Sequence, residues 1–389
     1  MATAIYALSA DPITYGHIDI VRRALRVFNH VVVAVGNNPA KRYTFSLDER
    51  VALAKRALTG FSVEVVPFEG LLVDFTYSLG VRTIVRGVRN GDDFAFEQAM
   101  HDINYGQRLG IDTFLVIADQ KLSHVSSSAV KELQSHSAKE ILDYVPMAVK
   151  QALEERILKQ VRVAVTGEIG AGKSMLVKKY EEYYGRVHSV PRKSGDRLVF
   201  VYDADMDVIA RKILTSDTAP VCVEVRRAIS SQIDVPMQGG VLDVKALSSA
   251  IFQSSVKRLA YNEIMMEPIL YVLRRDYFQR DNSIILVGGA LLPDCGGLHI
   301  TNNNVILVTA DKEIRRARLK RRGYSDEETD RRMASQFGSV EKANLINRAI
   351  ESSSHGSLLV VENNEEGIPD TVMETMDKWV HDLPSYFAW

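Results

Sequence analysis

Residues 4–17 read Ala4-Ile5-Tyr6-Ala7-Leu8-Ser9-Ala10-Asp11-Pro12-Ile13-Thr14-Tyr15-Gly16-His17. An apolar run of strand length enters a short polar loop, and the loop opens a helical pattern expected from His17 to about Phe28. A helix start presents unsatisfied N–H groups and the positive end of the helix dipole, an arrangement that suits a phosphate. Gly16 would let backbone approach that phosphate closely, and His17 stands where an imidazole can donate to a phosphate oxygen. Strand, loop and helix in this order predict a parallel α/β sheet.

The same alternation continues outward. Val31 to Val35 reads as a fully buried parallel strand, and Val63–Val66, Thr83–Val85 and Thr113–Ile117 read likewise. Ser46-Leu47-Asp48-Glu49 fits a capping box at the start of an intervening helix. A second series begins at Val161, with strands expected at 161–166, 198–202, 284–287, 305–308 and 358–361. The stretch 208–280 reads mainly helical, and Ser325-Asp326-Glu327-Glu328 resembles another capping box. Two α/β domains are expected, 1–157 and 160–389, joined by a short, stiff, charged linker between Glu154 and Gln160. Pro191–Arg197 reads as a basic, solvated surface loop.

Bulk properties narrow the class. The chain has 389 residues, 46% hydrophobic and 25% charged, which is the balance of a globular protein. A formal net charge of -1 gives no basic field, so nucleic acid is not an expected partner. Cys222 and Cys295 are far apart, so neither a disulfide framework nor a metal-ligand spacing is expected, and a reducing cytoplasm is the default. No signal-peptide pattern precedes Ala4, and the apolar runs are too short to span a bilayer.

The Thr14-Tyr15-Gly16-His17 signature resembles the nucleotidylyltransferase superfamily, and residues 4–155 resemble bacterial phosphopantetheine adenylyltransferases. The match runs in order through Asp11–Thr14, Gly16–Val21, Phe45, Glu49–Leu53, Arg86–Arg89, Asp93-Phe94, Glu97, Ser126–Ser128 and Val130–Glu132. The resemblance implies a Rossmann-like nucleotidylyltransferase sheet. It also implies transfer of AMP from ATP to 4'-phosphopantetheine, giving dephospho-CoA and pyrophosphate without a covalent intermediate. By that match, Ser9, His17, Lys41 and Arg89 would surround the α- and β-phosphates, with His17, Lys41 and Arg89 carrying catalysis. Gly87, Glu97 and Ser126, Ser127 and Ser128 would contact ATP, while Leu71, Leu72, Arg86 and Asn104 would line the phosphopantetheine side. The bland reading of each is a surface charge or a helix cap. One departure is Leu8-Ser9-Ala10, where the family has Gly-Thr-Phe; losing the glycine puts the turn in question. Resemblance to hexameric adenylyltransferases raises the chance of a homo-oligomer through the N-terminal domain.

Gly167-Glu168-Ile169-Gly170-Ala171-Gly172-Lys173-Ser174 fits G-x-x-x-x-G-K-[ST] between a strand and a helix, the context a P-loop requires. Gly167, Gly170 and Gly172 would let backbone amides cradle phosphate, Lys173 would bridge phosphates, and Ser174 would coordinate Mg2+. Asp203-Ala204-Asp205 before Ile209-Ala210-Arg211 resembles the D-A-D-x-I-A-R element of dephospho-CoA kinases, with one or two extra residues. The resemblance makes Asp205 the general base on the ribose 3'-hydroxyl, places Arg211 on substrate, and leaves Asp203 for Mg2+ or orientation. The bland alternative is that both aspartates cap the helix near Met206. Arg315–Gln336 resembles that kinase's lid: Arg318, Arg321 and Arg322 lead into a capped helix ending near Gln336, a lid arginine would lie over the γ-phosphate, and Arg321 would bind ATP.

The family's His-Pro-Leu and Pro-Leu-Leu-x-Glu elements stand here as Glu267-Pro268-Ile269 and Ala290–Asp294. The adenine-side loop, sought near Asn347–Ser353, has no clear counterpart. The leading expectation is a bifunctional enzyme using ATP, 4'-phosphopantetheine and dephospho-CoA. A regulatory, non-catalytic P-loop domain and a nucleotide-dependent scaffold or sensor are the alternatives.

Overall fold

Alternate residues of β1 (Thr3–Leu8) face two different cores: Ala4 and Tyr6 one, Ile5 and Ala7 the other. A strand buried on both faces must lie inside a sheet with helices on each side. The computed structural model describes residues 2–136, 139–188, 199–365 and 367–383. The basic stretch 191–197 lies outside the described residues. Contacts divide the chain after Ile157 into two units.

In the first unit β1 is followed by α1 (Tyr15–Ala24), β2 (His30–Gly36), α2 (Leu47–Ala57), β3 (Val63–Phe68), α3 (Leu72–Ser78), β4 (Thr83–Val88), α4 (Gly91–Gly106), β5 (Asp112–Ile117), α5 (Ser127–Ser135) and α6 (Met147–Leu153). Sheet order is β3-β2-β1-β4-β5, all parallel. The order reverses between β1 and β4, and ligands of open α/β sheets bind at such a switch point, beyond the strands' carboxyl ends. Helix α1 ends at Ala24, four residues before the expected Phe28, because Leu25–Phe28 close as turns onto the preceding carbonyls. Ser46 and Glu49 form the capping box on α2.

The second unit runs β6 (Gln160–Gly167), α7 (Lys173–His188), β7 (Phe200–Asp203), α8 (Met206–Thr215), α9 (Pro220–Ile233), β8 (Met237–Gln238), β9 (Val241–Leu242), α10 (Val244–Gln253), α11 (Ser255–Asp276), β10 (Ser283–Gly288), β11 (Asn304–Thr309), α12 (Lys312–Arg321), α13 (Asp326–Ala334), α14 (Ser339–Ser353), β12 (Ser357–Glu362) and α15 (Asp370–Asp382). Its parallel sheet is ordered β12-β11-β6-β10-β7, with every residue of the central β6 buried. The stretch expected to be helical contains one small antiparallel hairpin, β8–β9, around Gly239-Gly240. Between the units α6 passes into a wider helical turn, Glu154–Leu158, and Lys159 then takes a positive φ of 53°. No described helix is long and apolar enough to cross a membrane.

The loops at the carboxyl end of the first sheet converge on Arg50, a buried cation. Its guanidinium donates to the carbonyls of Ser9 at 2.5 Å, Gly36 at 2.9 Å and Phe45 at 3.3 Å, and to the Asn37 side chain. It also lies 4.0 Å from the centre of the Tyr43 ring. Replacing Arg50 with leucine strands these carbonyls, and a buried polar group left without its partner costs about 1–3 kcal/mol. Arg50→Leu is therefore expected to lose hydrogen-exchange protection across β1 and β2. Protection in β6 and β10 should stay at the wild-type level.

Candidate active sites

In the first unit the β1–α1 loop holds His17 in one tautomer. The Thr14 amide donates to His17 Nδ1 at 3.0 Å, and Thr14 Oγ1 lies 3.0 Å from the same nitrogen. An Nδ1 that accepts leaves the ring proton on Nε2, so the neutral ring offers an N–H donor. Burial, then the charges of Arg89 and Lys41, push the His17 pKa down to about 4. His17, Arg89 and Lys41 are thus brought together.

Each acidic side chain around this cluster is matched by a cation. Arg89 donates to Asp93 at 2.8 and 3.2 Å, which raises the arginine's pKa and lowers the carboxylate's. Arg86, on β4, grips buried Glu97 at 2.7 and 2.5 Å and also donates to the Ala7 carbonyl at 2.8 Å. Buried Asp11 accepts from the Thr44 and Phe45 amides and pairs with Lys131 at 2.8 Å. Asp11 and Lys131 are 120 residues apart, and the sequence reading gave neither a site role. They tie the β1–α1 loop to the β2–α2 loop and to α5.

Ser9 Oγ lies 3.5 Å from the Tyr43 hydroxyl. Ser126 Oγ caps α5 by accepting from the Ala129 amide, and Ser127 Oγ donates to the Pro12 carbonyl at 2.8 Å. Those two hydroxyls are engaged within the fold, and Ser128 is exposed at the helix start. A Cβ on Gly87 would come within 2.8 Å of the Ile20 side chain, so this glycine lets α1 pack against β4. Leu71 caps α3 and is exposed, Leu72 begins it, and Asn104 lies near the end of α4 with no side-chain hydrogen bond among the described residues.

Leu8 completes β1 in regular register with Val35, so the missing glycine is not needed for the turn there. The residue with a left-handed backbone is Ala10, at φ 50°.

In the second unit the loop after β6 has Gly167, Gly170 and Gly172 at φ 146°, 81° and 102°. A Cβ at these positions would lie 2.1 Å from the Val308 carbonyl oxygen, 2.9 Å from that of Arg315, and 2.1 Å from Asn363 Nδ2. The glycines are required by backbone conformation and by close packing alike. Lys173 Nζ donates to the carbonyls of Gly167 at 3.1 Å and Glu168 at 3.3 Å. Its pKa falls to about 8, first through burial; Asp207 and Asp205 oppose the shift, while Lys342 and Arg322 add to it.

The three aspartates after β7 differ. Asp205 is the N-cap of α8, accepting from the Asp207 amide at 2.8 Å and the Val208 amide at 3.3 Å. Asp207 is pushed up by burial and by Asp205, with Lys173 opposing. Burial, Asp205 and Glu181 raise Asp203 to about 6, and its buried Oδ1 has no hydrogen-bond partner. Arg211 is exposed on α8, and Arg321 is exposed at the end of α12.

Arg318 and Arg315 of the lid reach the loop. Arg318 donates to the carbonyls of Ala171 at 3.1 Å, Asn363 at 3.0 Å and Glu365 at 3.0 Å. Gln336 Oε1 accepts from the Ile169 amide at 3.2 Å, and Arg315 pairs with Glu168 at 2.7 Å. Asn363 Nδ2 donates to the Ala171 carbonyl at 2.8 Å. A cavity of about 180 Å³ opens beside Asn363, lined also by Glu362, Asn364, Ile368, Pro369 and Val372. Fully buried Lys342 donates to the Ala290 carbonyl and to Asp294, both at 2.6 Å, which gives the altered 290–294 element a defined role. These partners lie far from the loop in sequence, where local pattern gives no signal.

Comparison with known proteins follows this division. The "Cytidylyltransferase-like" family model matches residues 6–133, and the "Dephospho-CoA kinase" family model matches residues 161–357, half of the chain. A phosphopantetheine adenylyltransferase of Leuconostoc mesenteroides is 39% identical over 158 residues, 40% of this chain and 97% of that protein. That of Geotalea daltonii is 42% identical over 154 residues, 39% of this chain and 95% of that protein. That of Heliobacterium modesticaldum is 42% identical over 163 residues, 42% of this chain and 96% of that protein.

The His17 geometry makes a pH prediction. Between pH 6.5 and 4 the unfolded chain binds a proton that folded His17 refuses, so stability falls as pH drops through that window. An NMR titration of the His17 ring in nucleotide-free protein should show a midpoint near 4. Replacing His17 by glutamine should remove its share of the acid sensitivity.

Proposed function

Because the chain belongs to the phosphopantetheine adenylyltransferase family through its first unit and to the dephospho-CoA kinase family through its second, we propose how its residues carry two successive steps of coenzyme A synthesis. The chain is a bifunctional transferase. It passes AMP from ATP to 4'-phosphopantetheine, giving dephospho-CoA and pyrophosphate, and it phosphorylates the 3'-hydroxyl of dephospho-CoA with a second ATP. The observation that carries this reading is the tandem itself. Each unit places a phosphate-ready loop after the central strand of its own sheet, and we assign one site to each unit.

In the first site His17 donates its Nε2 proton to an oxygen of the α-phosphate, while Lys41 and Arg89 offset the charge that moves toward pyrophosphate. Ser9, Gly87 and the first-turn amides of Ser127 and Ser128 complete the ATP side. Glu97 acts through Arg86 by holding it toward the acceptor phosphate, beside Leu71, Leu72 and Asn104. The apolar side chains exposed on α3, α4 and β5 (Leu71, Phe94, Phe96, Ile103, Tyr105, Ile117) support a homo-oligomer built through this unit.

In the second site the P-loop amides and Lys173 take the phosphates, Arg318 and Arg321 close over them, and the cavity beside Asn363 receives the base. The residues present fit Mg2+: the Ser174 hydroxyl and the Asp203 carboxylate are hard-oxygen donors, and Asp203 Oδ1 has no hydrogen-bond partner. When bound, the ion would neutralise phosphate charge. The proton of the ribose 3'-hydroxyl goes to Asp205: both capping amides bind its Oδ1, which leaves Oδ2 for the hydroxyl, while Asp203 serves the ion. Arg211, exposed on α8, binds substrate.

Supplying ATP, Mg2+ and 4'-phosphopantetheine and measuring dephospho-CoA and CoA separately tests this reading. Wild-type protein should make both. His17→Ala should slow dephospho-CoA formation by ~10²–10³, the usual cost of one transition-state donor, and leave phosphorylation of added dephospho-CoA intact. Lys173→Ala should show the reverse pattern. Wild-type protein that makes no CoA would return the second unit to a regulatory role.

A further set of variants separates the aspartates. Asp203→Asn is expected to keep ATP binding and lose CoA formation. Asp205→Asn, which can still cap α8, should keep the wild-type melting temperature and ATP binding and lose CoA formation. Asp205→Ala should lose about 1 kcal/mol of stability with the cap. Retained CoA formation in Asp205→Asn would move the base to Asp203.

A further inference from the structure

Helices α7 and α15 bring three metal-ligating side chains together away from the nucleotide sites. His188 lies at the carboxyl end of α7, and Asp377 and His381 lie one turn apart on α15. One ligand atom of each falls within 4.8 Å of the other two. His188 Nε2 is 3.0 Å and His381 Nε2 3.7 Å from the Asp377 carboxylate. The two imidazole centroids are 5.4 Å apart.

The surroundings fix these groups. Tyr180 Oη donates to Asp377 Oδ1 at 3.0 Å. The buried Tyr184 ring stacks on His188 at 4.2 Å and on His381 at 6.3 Å between centroids. Outer contacts of this kind orient metal ligands. The nearby cations Lys179 and Arg186 are paired with Asp370 instead, and among the described residues no lysine or arginine bridges Asp377. A simple ion pair needs one imidazole; here two converge on one carboxylate.

We propose that His188, Asp377 and His381 form a binding site for a divalent transition-metal ion of the Zn2+ class. Two imidazoles and one carboxylate are ligands that suit Zn2+ and leave a position for water. The site is separate from magnesium–nucleotide chemistry, because His188 lies ~22 Å along α7 from Lys173 at 1.5 Å per residue. A bound ion would fasten α15, the last described helix, to the helix that begins at the P-loop. It would stabilise the second unit by mass action.

The test uses untagged full-length protein, stripped with chelator and free of nucleotide. Zn2+ is titrated by calorimetry and Co2+ by visible absorption. The expected result is one site per chain, d–d bands for Co2+, and a melting temperature that rises with Zn2+. His381→Gln, at an exposed position, should weaken binding at least ~10-fold, and Tyr180→Phe, which keeps all three ligands, by ~10-fold or more. Absence of stoichiometric binding in wild-type protein would overturn the proposal. So would unchanged affinity in both His381→Gln and His188→Gln.

Discussion

Both units depend on one constraint: loop carbonyls must be satisfied from behind so that loop amides can face an anion. A parallel strand buried on both faces carries apolar side chains along its length, so polar chemistry is confined to its carboxyl end. There the chain turns sharply, and its carbonyls would otherwise point into the site and repel phosphate. In the first unit Arg50 draws back the carbonyls of Ser9, Gly36 and Phe45. In the second, Lys173, Arg318 and Asn363 take those of Gly167, Glu168 and Ala171. Two unrelated sets of side chains reach the same end, a loop whose partial charges are sorted before any ligand arrives.

That sorting crowds positive charge. Lys173 lies close to Lys342 and Arg322 and is partly desolvated, and His17 lies near Arg89 and Lys41. Burial first, and then these neighbouring cations, depress each group's pKa, with Asp207 and Asp205 opposing the shift at Lys173. A polyphosphate would reverse the balance at Lys173, so nucleotide binding there draws a proton onto the lysine wherever the free form is partly deprotonated. At His17 the depression serves a different end. The neutral ring keeps its single proton on Nε2, held by the Thr14 amide on Nδ1, and acts as an oriented donor rather than a charge.

Strands and loops were legible because they are local. The apolar runs predicted all ten strands of the two parallel sheets, and the P-loop spacing predicted its own backbone, since its glycines answer to steric demands within a few residues. The β8–β9 hairpin escaped because each strand is two residues long, too short for any periodicity. Other features are matters of reach. Asn363 meets Ala171 across 192 residues and Arg318 across 147, and helical spacing alone does not distinguish Arg318 from Arg321. Leu8 looked like a lost turn residue by comparison with a family pattern, but the backbone turns at Ala10.

The two sites differ in their carboxylates, and the nucleophiles account for the difference. An acceptor that attacks through its own phosphate oxygen arrives already ionised and needs no base. Around His17 three acidic side chains are accordingly tied to cations, Asp93 to Arg89, Glu97 to Arg86 and Asp11 to Lys131. An acceptor that attacks through a hydroxyl must lose its proton as the bond forms. The second site meets that need with three aspartates at the end of β7 and the start of α8. Burial, and next the charge of Asp205, keeps Asp203 and Asp207 above the ordinary carboxylate range. Capping by Asp205 fixes the start of the helix that carries Arg211. A site whose carboxylates are all paired cannot activate a hydroxyl, so the two sites divide along the chemistry of their acceptors.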